Sequence, residues 1–338
     1  MEALAVKYRP KEFSDVSSQK INIRILEKML ETNQISNCIL FSGPSGCGKT
    51  TLAKIFADKI NKGQGNPIEI DGASNNGVDN VRNIIENSKE RSIDGTYKVY
   101  IIDECHQITT AGWNAFLKCI EEPPMFTIFI FCTTDPQKIP PTILNRLMKF
   151  QLTKISSEEI EQRLLYICQQ ENFVNYQECC NYISKNSNGG MRDAIANLEK
   201  CASYSNDLNI NNVLEVLGNC DYNMMFDIVN AIIDNNRQYI LDILSYIRNS
   251  GKDLRNFVNQ FLDFILNISK YCLYQKNINV TVFPSTVEEK LKYTTAIDNA
   301  ADYFIWLLNK IYNIKATIKY ETNLFNTLQI LFLGLYGA

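Results

Sequence analysis

Hydrophobic and polar positions follow two alternating patterns in the first 150 residues. Short, nearly continuous apolar runs predict a strand at residues 38–43 and buried strands at residues 98–104 and 126–134, and residues 68–72, IEIDG, predict a further short strand. Apolar residues at intervals of three or four predict helices at residues 21–35, 49–60, 75–90 and 109–124. Buried strands that alternate with helices are typical of an α/β fold with a doubly wound parallel sheet, which binds ligands at the carboxyl ends of its strands.

Beyond residue 150 the helical pattern takes over. Helices are predicted at residues 156–171, 176–187 and 189–204, and SSEE at residues 156–159 resembles a capping box for the first of them. From residue 209 onward the chain is helix-patterned and rich in asparagine, with one strand-like interruption, NVTVF, at residues 279–283. The pattern therefore predicts an α/β region followed by two all-α regions.

Composition limits the class of protein. At 338 residues the chain has room for two or three domains, and its 45% hydrophobic and 21% charged residues are typical of a folded, soluble protein. The net charge of −3 excludes a globally basic nucleic-acid coat protein, although not a local basic face. The charged N-terminus and the short apolar runs predict neither a signal peptide nor a membrane span. We therefore expect a cytoplasmic protein, located in the host cytoplasm if a phage encodes it.

Histidine and cysteine usage limits the chemistry. His106 is the sole histidine of the sequence, which excludes a catalytic His pair or a His-rich metal site. The eleven cysteines have no CxxC spacing. We therefore expect reduced, buried thiols in a cytoplasm-like compartment, and neither disulfides nor a structural zinc.

Residues 43–50, GPSGCGKT, match the phosphate-binding P-loop pattern GxxxxGK[ST]. The segment follows a predicted strand and opens a predicted helix, as that motif requires. Its glycines let successive backbone N–H groups turn toward a phosphate, while Lys49 would reach the β- and γ-phosphates and the Thr50 hydroxyl would ligate Mg²⁺. The candidate nucleotide-binding residues here are Gly43, Pro44, Ser45, Gly46, Cys47, Gly48, Lys49, Thr50 and Thr51.

The strand predicted at residues 98–104 ends in two acids, Asp103 and Glu104. Beside a P-loop strand, Asp103 would hold Mg²⁺, mostly through water, and Glu104 would orient and polarise the attacking water. With Cys105 and His106 these residues spell DECH, which also occurs in nucleic-acid helicases. A helicase of that type needs a second α/β motor domain, whereas the rest of this chain is predicted to be helical. We expect His106 to pack beside the site rather than act as a base.

Seven segments occur in a fixed order over residues 1–200. They are KYRP with Phe13, GPSGCGKTT, DGASNNGVDNVR, KVYIIDECHQIT, NAFLKCIEEPP, CTTDPQKIPPTILNR and GGMRDA. Together they resemble the AAA+ clamp-loader ATPases, and most closely the bacterial DNA polymerase III gamma/tau family. The resemblance is thin beyond residue 200. It implies a RecA-like ATP-binding domain at residues 1–150, a helical lid at residues 151–208 and a helical collar for oligomerisation at residues 209–338.

The resemblance also implies roles for residues outside the P-loop. Thr134 in CTTDP occupies the sensor-1 position, between the nucleotide and the neighbouring strand. Arg146 corresponds to an arginine that acts in trans, on ATP held by the adjacent subunit. Arg192 in GGMRDA corresponds to the lid's sensor-2 arginine, which closes on the γ-phosphate. The N-terminal segment that wraps the adenine in this family corresponds to Tyr8, Arg9 and Pro10.

The chain departs from the family's pattern in three places. Asn145 and Leu147 flank Arg146 where the family has serine and cysteine, which changes the surroundings of that arginine. Residues 61–67, NKGQGNP, replace a four-cysteine zinc module, so we expect no zinc. We also expect no tau extension, the part that binds polymerase and helicase in this family, and we interpret the chain as a compact form of the kind expected in a bacteriophage or a reduced genome.

DNA contact is implied by the same architecture. Clamp loaders follow the primer–template backbone from inside a spiral, using helix N-termini and a few basic side chains. The candidates are Arg82 and Lys89 on the helix that follows Asn76, and Lys118 on the EEPP helix. Arg82 is the strongest of the three, although a solvated helix face explains such residues equally well.

We therefore expect an ATPase subunit of a sliding-clamp loader, with ATP and Mg²⁺ as its cofactors. ATP binding would open the clamp, and primer–template DNA would trigger hydrolysis and clamp release. The expected partners are other loader subunits in a five-subunit ring, the clamp and the DNA, and no membrane. Two alternatives stay open: a nucleotide-binding scaffold subunit of the loader, and another AAA+ DNA motor of the Holliday-junction or initiator type.

Overall fold

The computed structural model describes residues 2–217, 222–283 and 287–335 of the chain. It divides into two units, Met1–Gln170 with Asn186–Glu199, and Glu171–Lys185 with Lys200–Ala338. The three-domain division at residues 150 and 208 stays a prediction. Within the described residues, no helix is both long enough and apolar enough to cross a bilayer.

The first unit contains a five-stranded parallel sheet, which confirms the predicted α/β fold. Its strands are β1 (Cys38–Ser42), β2 (Ile68–Asp71), β3 (Lys98–Asp103), β4 (Thr127–Thr133) and β5 (Met148–Gln151). Their order across the sheet is β2-β3-β4-β1-β5, and every pair is parallel. Because β4 lies between β1 and β3, the carboxyl ends of these three strands form one edge, where a doubly wound sheet binds its ligand.

The described residues contain nine α-helices before residue 205. They are α1 (Leu4–Lys7), α2 (Lys20–Glu31), α3 (Lys49–Ile60), α4 (Val78–Ser88), α5 (Thr110–Glu121), α6 (Pro141–Leu144), α7 (Ser157–Gln170), α8 (Gln177–Asn186) and α9 (Met191–Tyr204). The first of these, α1, is a single turn that ends three residues before Pro10.

Local sequence signals account for several helix ends. The Thr109 hydroxyl accepts a hydrogen bond from the Gly112 N–H at the start of α5, and Pro123 and Pro124 follow its end at Glu121 after one intervening residue. The predicted capping box opens α7: Ser156 Oγ accepts from the Glu159 N–H, and the Glu159 carboxylate accepts from the Ser156 N–H.

Side chains alternate along each strand, so each central strand directs apolar residues to both faces of the sheet. Helices cover both of these faces. Ile39 and Phe41 of β1 pack with α2 and α3, whereas Leu40 packs on the opposite face with Trp113 and Phe116 of α5. All residues of β1 and β4 are buried. The central strands that lead into the site are therefore held from both sides.

The link between α3 and β2 is closed by an asparagine. Asn61 is buried, its Nδ2 donates to the Tyr97 carbonyl at 2.8 Å, and its Oδ1 accepts from the Tyr97 N–H at 2.8 Å. This two-way amide pair joins the end of α3 to the residue that precedes β3. It lies in the segment where the family pattern has a zinc module.

The second unit is helical in its described residues. After α8 and the end of α9 it contains α10 (Ile210–Val216), α11 (Tyr222–Ile233), α12 (Arg237–Asn249), α13 (Leu254–Leu273), α14 (Glu288–Thr294), α15 (Ala300–Ile318) and α16 (Leu324–Leu333). Its core is rich in aromatic side chains from α11 and α13, among them Phe226, Phe257, Phe261 and Phe264.

The predicted strand at residues 279–283 is wrong. Residues Ile278–Val280 form one turn of 3₁₀ helix, and the Thr281 hydroxyl donates to the Ile278 carbonyl and accepts from the Phe283 N–H. The described part of this unit offers no sheet for a strand to join, and Phe283 is buried against aromatic rings of α11 and α13 instead. Burial in a helical core thus explains the apolar run.

Candidate nucleotide-binding site

The P-loop connects β1 to α3, as predicted. Gly46 (φ +71°) and Gly48 (φ +102°) have left-handed backbone conformations that favour glycine. Among the described residues no side chain caps α3 at Gly48. The first N–H groups of this helix are therefore available to an anion, which its macrodipole also favours.

Lys49 and Thr50 point their functional groups toward the sheet edge. Lys49 is buried, and its ammonium donates to the carbonyls of Gly43 and Pro44 at 2.9 Å each. The Thr50 hydroxyl donates to Asp103 Oδ2 at 2.7 Å, which joins the P-loop to the end of β3. The structure thus brings together both of the predicted magnesium-binding residues.

Glu104 follows Asp103 with a left-handed φ of +45°, a conformation that costs a non-glycine residue about 1–3 kcal/mol and is concentrated at functional sites. Its N–H donates to Asp103 Oδ1 at 3.0 Å. Its carboxylate Oε2 accepts from the Thr134 hydroxyl at 3.1 Å and lies 3.2 Å from His106 Nδ1. The predicted water-activating acid and the predicted sensor-1 threonine are therefore in direct contact.

His106 packs beside this pair, as predicted. Its Nδ1 also lies 3.1 Å from the Thr133 hydroxyl, which accepts from the Asp135 N–H at 3.0 Å. The imidazole thereby joins Glu104 to the end of β4. Sequence reasoning did not single out Thr133, the buried last residue of that strand.

The donor set fits a magnesium ion. The Thr50 hydroxyl and an oxygen of the Asp103 carboxylate lie side by side, 2.7 Å apart. Mg²⁺ prefers oxygen ligands of this kind, and it completes its coordination with water and phosphate oxygens. Within the described residues no group of three or more His, Cys, Asp or Glu side chains could hold a metal ion by itself. A metal here would therefore be shared with the phosphates of a nucleotide.

Arg192 is placed next to the P-loop by its backbone. The N–H of Met191, the first residue of α9, donates to the Gly46 carbonyl at 3.1 Å. A Cβ on Gly46 would lie 2.9 Å from the Cα of Gly190, so the two backbones touch without intervening side chains. Arg192 follows directly and is exposed, and its side chain has no hydrogen bond or ion pair to another described residue.

The N-terminal segment approaches the same helix start. Arg9 Nε donates to the Thr51 hydroxyl at 3.3 Å, and the Tyr8 carbonyl accepts from Arg163 of α7 at 2.7 Å. The Tyr8 ring meets the Tyr166 ring edge-on, with centroids 6.2 Å apart. Residues 8–10 therefore lie between α3 and α7, beside the P-loop.

Sequence reasoning missed Gln19, a buried polar residue that joins α2 to the segment after β5. It is buried with a left-handed φ of +69°, its Nε2 donates to the Thr153 carbonyl at 2.8 Å, and its Oε1 accepts from the Thr153 N–H at 3.3 Å. It thereby ties the start of α2 to the chain that leaves β5. A buried glutamine in a polar run, VSSQK, gives no periodic signal.

Arg146 lies apart from this cluster. Its guanidinium Nη2 is 2.6 Å from Glu121 Oε1 at the end of α5, and Nη1 donates to the Thr142 carbonyl. Asn145 is exposed and Leu147 is buried in the core. Of the two residues that depart from the family's pattern, Leu147 therefore lies in the core and Asn145 lies at the surface, as Arg146 does.

The DNA candidates lie on two packed helices. Arg82 is in the second turn of α4, two-thirds exposed, and 3.4 Å from Asp79. Lys89 follows the last residue of α4 and Lys118 is in the last turn of α5, both exposed. Since seven residues of helix span about 10 Å, Arg82 and Lys89 lie about two turns apart along α4.

The cysteines near the site are structural. Cys47, Cys105 and Cys132 are buried, and burial raises the pKa of each thiol; Lys49 offsets only part of this effect at Cys47. Nine of the ten cysteines with described environments are buried, which confirms the prediction of buried free thiols for this part of the chain.

Two family models match the sequence. One, described as DNA polymerase III, delta subunit, matches residues 68–156, and the other, described as DNA polymerase III subunits gamma and tau domain III, matches residues 208–295. The DNA polymerase III subunit gamma of Buchnera aphidicola is 30% identical over 332 residues, which are 92% of this chain and 91% of that protein. The chain belongs to the DNA polymerase III gamma/tau family.

Other gamma/tau proteins are longer than this chain. The DNA polymerase III subunit tau of Bacillus subtilis is 35% identical over 80% of this chain and 52% of its own length. The gamma/tau subunit of Mycoplasma genitalium is 30% identical over 95% of this chain and 59% of its own. The chain thus spans about half the length of several of the curated relatives it matches.

Solved structures with low sequence identity to this chain share its fold. RuvB of Thermotoga maritima, described as a Holliday junction branch migration motor, matches with a TM-score of 0.53 and 19% identity, over 75% of this chain and 90% of that one. At this identity the likeness shows the fold alone, a RecA-like α/β unit with helical additions.

Proposed function

We propose that the chain is an ATP-hydrolysing subunit of a sliding-clamp loader. The observation that carries the proposal is the set of contacts that joins the P-loop to two strand ends: Thr50 to Asp103, and Glu104 to Thr134. A chain that only folded like an ATPase would need neither contact. Membership of the gamma/tau family supports the choice of loader over other ATPases with this fold.

Each residue has a distinct task in this proposal. The N–H groups at the start of α3 and the Lys49 ammonium bind the phosphates. When it binds, the ammonium gives up its hydrogen bonds to the carbonyls of Gly43 and Pro44 and donates to phosphate oxygens instead. Thr50 and Asp103 would hold Mg²⁺, which supplies charge stabilisation at the phosphates. Glu104, held by Thr134, orients the attacking water and accepts its proton. Arg192 closes on the γ-phosphate from the start of α9.

The remaining roles concern other molecules. Tyr8, Arg9 and Pro10 would contact the adenine, and Arg146 would act on ATP held by an adjacent subunit. Arg82, Lys89 and Lys118 would contact the phosphate backbone of primer–template DNA. We infer a five-subunit ring that binds the clamp, and three domains, of which the last, residues 209–338, assembles the ring.

The alternatives are less well supported. A nucleotide-binding scaffold would not need Glu104 held in a left-handed conformation against Thr134. A Holliday-junction motor shares the fold with this chain at 19% identity, whereas the gamma/tau relatives reach 30–35%. Neither alternative is therefore preferred.

Glu104→Gln tests the proposed function. The substitution keeps the shape and hydrogen bonding of residue 104 but removes its negative charge. We expect normal binding of ATP with Mg²⁺, and DNA- and clamp-stimulated hydrolysis lowered by about 10²–10⁴-fold, as for the loss of a general base. Glu27→Gln on the exposed face of α2 is the matched control.

The measurement uses the complex purified with its own partners from its own cells. Hydrolysis that is unchanged in Glu104→Gln would exclude the role of Glu104. A wild-type complex that binds ATP but does not hydrolyse it with DNA and clamp present would favour the scaffold.

A further inference from the structure

Glu121 and Arg146 form an ion pair at the surface of the first unit. Glu121 is the last residue of α5, and its Oε1 lies 2.6 Å from Arg146 Nη2. Nη1 of the same guanidinium donates to the carbonyl of Thr142 in α6. Two acceptors from different helices therefore hold Arg146 at two of its nitrogens.

The backbone at Arg146 is fixed as well. Its N–H donates to the Ile143 carbonyl at 2.9 Å, and the next residue, Leu147, is buried in the core before β5 begins. The whole residue is thereby restrained from its main chain to its guanidinium. A surface arginine with no further role needs no such restraint.

Helix stability does not explain a glutamate at residue 121. The C-terminal end of a helix carries partial negative charge, which disfavours a carboxylate there. The N–H of the next residue, Glu122, donates to the Lys118 carbonyl at 3.0 Å, but its side chain has no hydrogen bond or ion pair to another described residue. Of these two neighbouring acids, Glu121 alone has a cation for its partner in the described structure.

We propose that Glu121 is a positioning residue for Arg146, which it holds in the orientation that meets the γ-phosphate of ATP on the adjacent subunit. The inference rests on the proposed action of Arg146 in trans. Fixing a mobile arginine costs conformational entropy, and a guanidinium held in advance has lost that freedom before the phosphate arrives.

The pair leaves Arg146 able to bind an anion. A guanidinium has five N–H donors, and the two acceptors leave others for phosphate oxygens. The Arg146 and Glu121 side chains are 38% and 46% exposed, so water screens the carboxylate and the arginine keeps much of its attraction for a phosphate. Glu121 therefore restrains the arginine more than it neutralises it.

Glu121→Gln, with Glu122→Gln as its matched control, tests the proposal in the complex purified with its own partners. We expect Glu121→Gln to lower kcat for stimulated ATP hydrolysis by about two- to five-fold, the range that a half-exposed ion pair supplies. The KM for ATP and the Tm should not change, because neither the nucleotide pocket nor the core is touched. Glu121→Asp should recover part of the loss, and Glu122→Gln should have no effect.

A double-mutant cycle separates positioning from other effects. If Glu121 acts through Arg146, then Glu121→Gln added to Arg146→Ala lowers kcat no further than Arg146→Ala alone. An equal loss in both backgrounds, an equal loss in Glu122→Gln, or faster hydrolysis in Glu121→Gln would overturn the proposal; faster hydrolysis would mean that Glu121 withholds the arginine. If Arg146→Ala alone leaves hydrolysis unchanged, the action in trans is itself wrong, and this single variant identifies that case.

Discussion

Replacing Gly46 by alanine tests the contact between the P-loop and the start of α9. Gly46 has a φ of +71°, its carbonyl accepts from the Met191 N–H, and a Cβ would lie 2.9 Å from the Cα of Gly190. We expect Gly46→Ala to lower both the free energy of unfolding of the first unit and its affinity for ATP, because the P-loop and α9 must move apart.

The size of the effect follows from two contributions. An alanine in a left-handed conformation costs about 1–2 kcal/mol. Forcing the Gly190 backbone aside adds about 1–3 kcal/mol, as in other overpacked sites. Gly63 has a φ of +76° but nothing within 4 Å of its Cβ position, so Gly63→Ala carries the first cost alone. The difference between the two variants isolates the contact with Gly190.

Tryptophan fluorescence can report on the first unit alone. The chain has two tryptophans, Trp113 in the core of the first unit and Trp306 in the second. In a Trp306→Phe background, urea unfolding followed at Trp113 gives the free energy for the unit that carries both glycines. Titration of the folded variants with ATP and Mg²⁺ then measures the effect on binding.

The result that refutes this reasoning is specific. Equal losses of unfolding free energy in Gly46→Ala and Gly63→Ala would mean that the close approach to Gly190 contributes nothing. Unchanged ATP affinity in Gly46→Ala would mean that the start of α9 does not influence the nucleotide.

Two further predictions concern charge. Arg82→Ala should reduce the slope of log affinity for DNA against log salt concentration by about one, and Arg24→Ala on α2 is the control. An unchanged slope in Arg82→Ala would mean that Arg82 does not contact the phosphate backbone. The Ser74 hydroxyl and two backbone N–H groups donate to the Asp71 carboxylate and lower its pKa. These hydrogen bonds therefore stabilise the folded protein above the ordinary carboxyl pKa, and this stabilisation is lost as the pH falls through the lowered pKa of Asp71. Ser74→Ala should raise the pKa of Asp71 toward its ordinary value in an NMR titration, and no change would show that the backbone donors suffice.

The sequence predicted strands β1 to β4 but not β5, one of the two edge strands. The runs that form β1, β3 and β4 are apolar because both faces of these strands are covered. In β5, MKFQ, only Phe150 is buried, and its place beside β1 depends on a pairing with residues more than a hundred positions earlier. Periodicity carries no information about such a partner.

The site shows the same division. The P-loop and Asp103 have local signatures, since a glycine pattern and a strand end mark them in the sequence. The contacts of Glu104 with Thr134, of Gln19 with Thr153 and of Glu121 with Arg146 join residues 25 or more positions apart. Family resemblance supplied Thr134 and Arg146, and neither spacing nor composition identified Gln19 or Glu121.

The asparagine that closes the α3–β2 link bears on how the chain is made in the cell. Its amide pairs with the backbone of Tyr97, 36 residues later, with two hydrogen bonds of 2.8 Å. Such a pair needs no metal delivery and no oxidant, whereas a cluster of thiolates folds only once its ion has arrived. This corner of the unit can therefore close by hydrogen bonding alone, as soon as Asn61 and Tyr97 have both been synthesised.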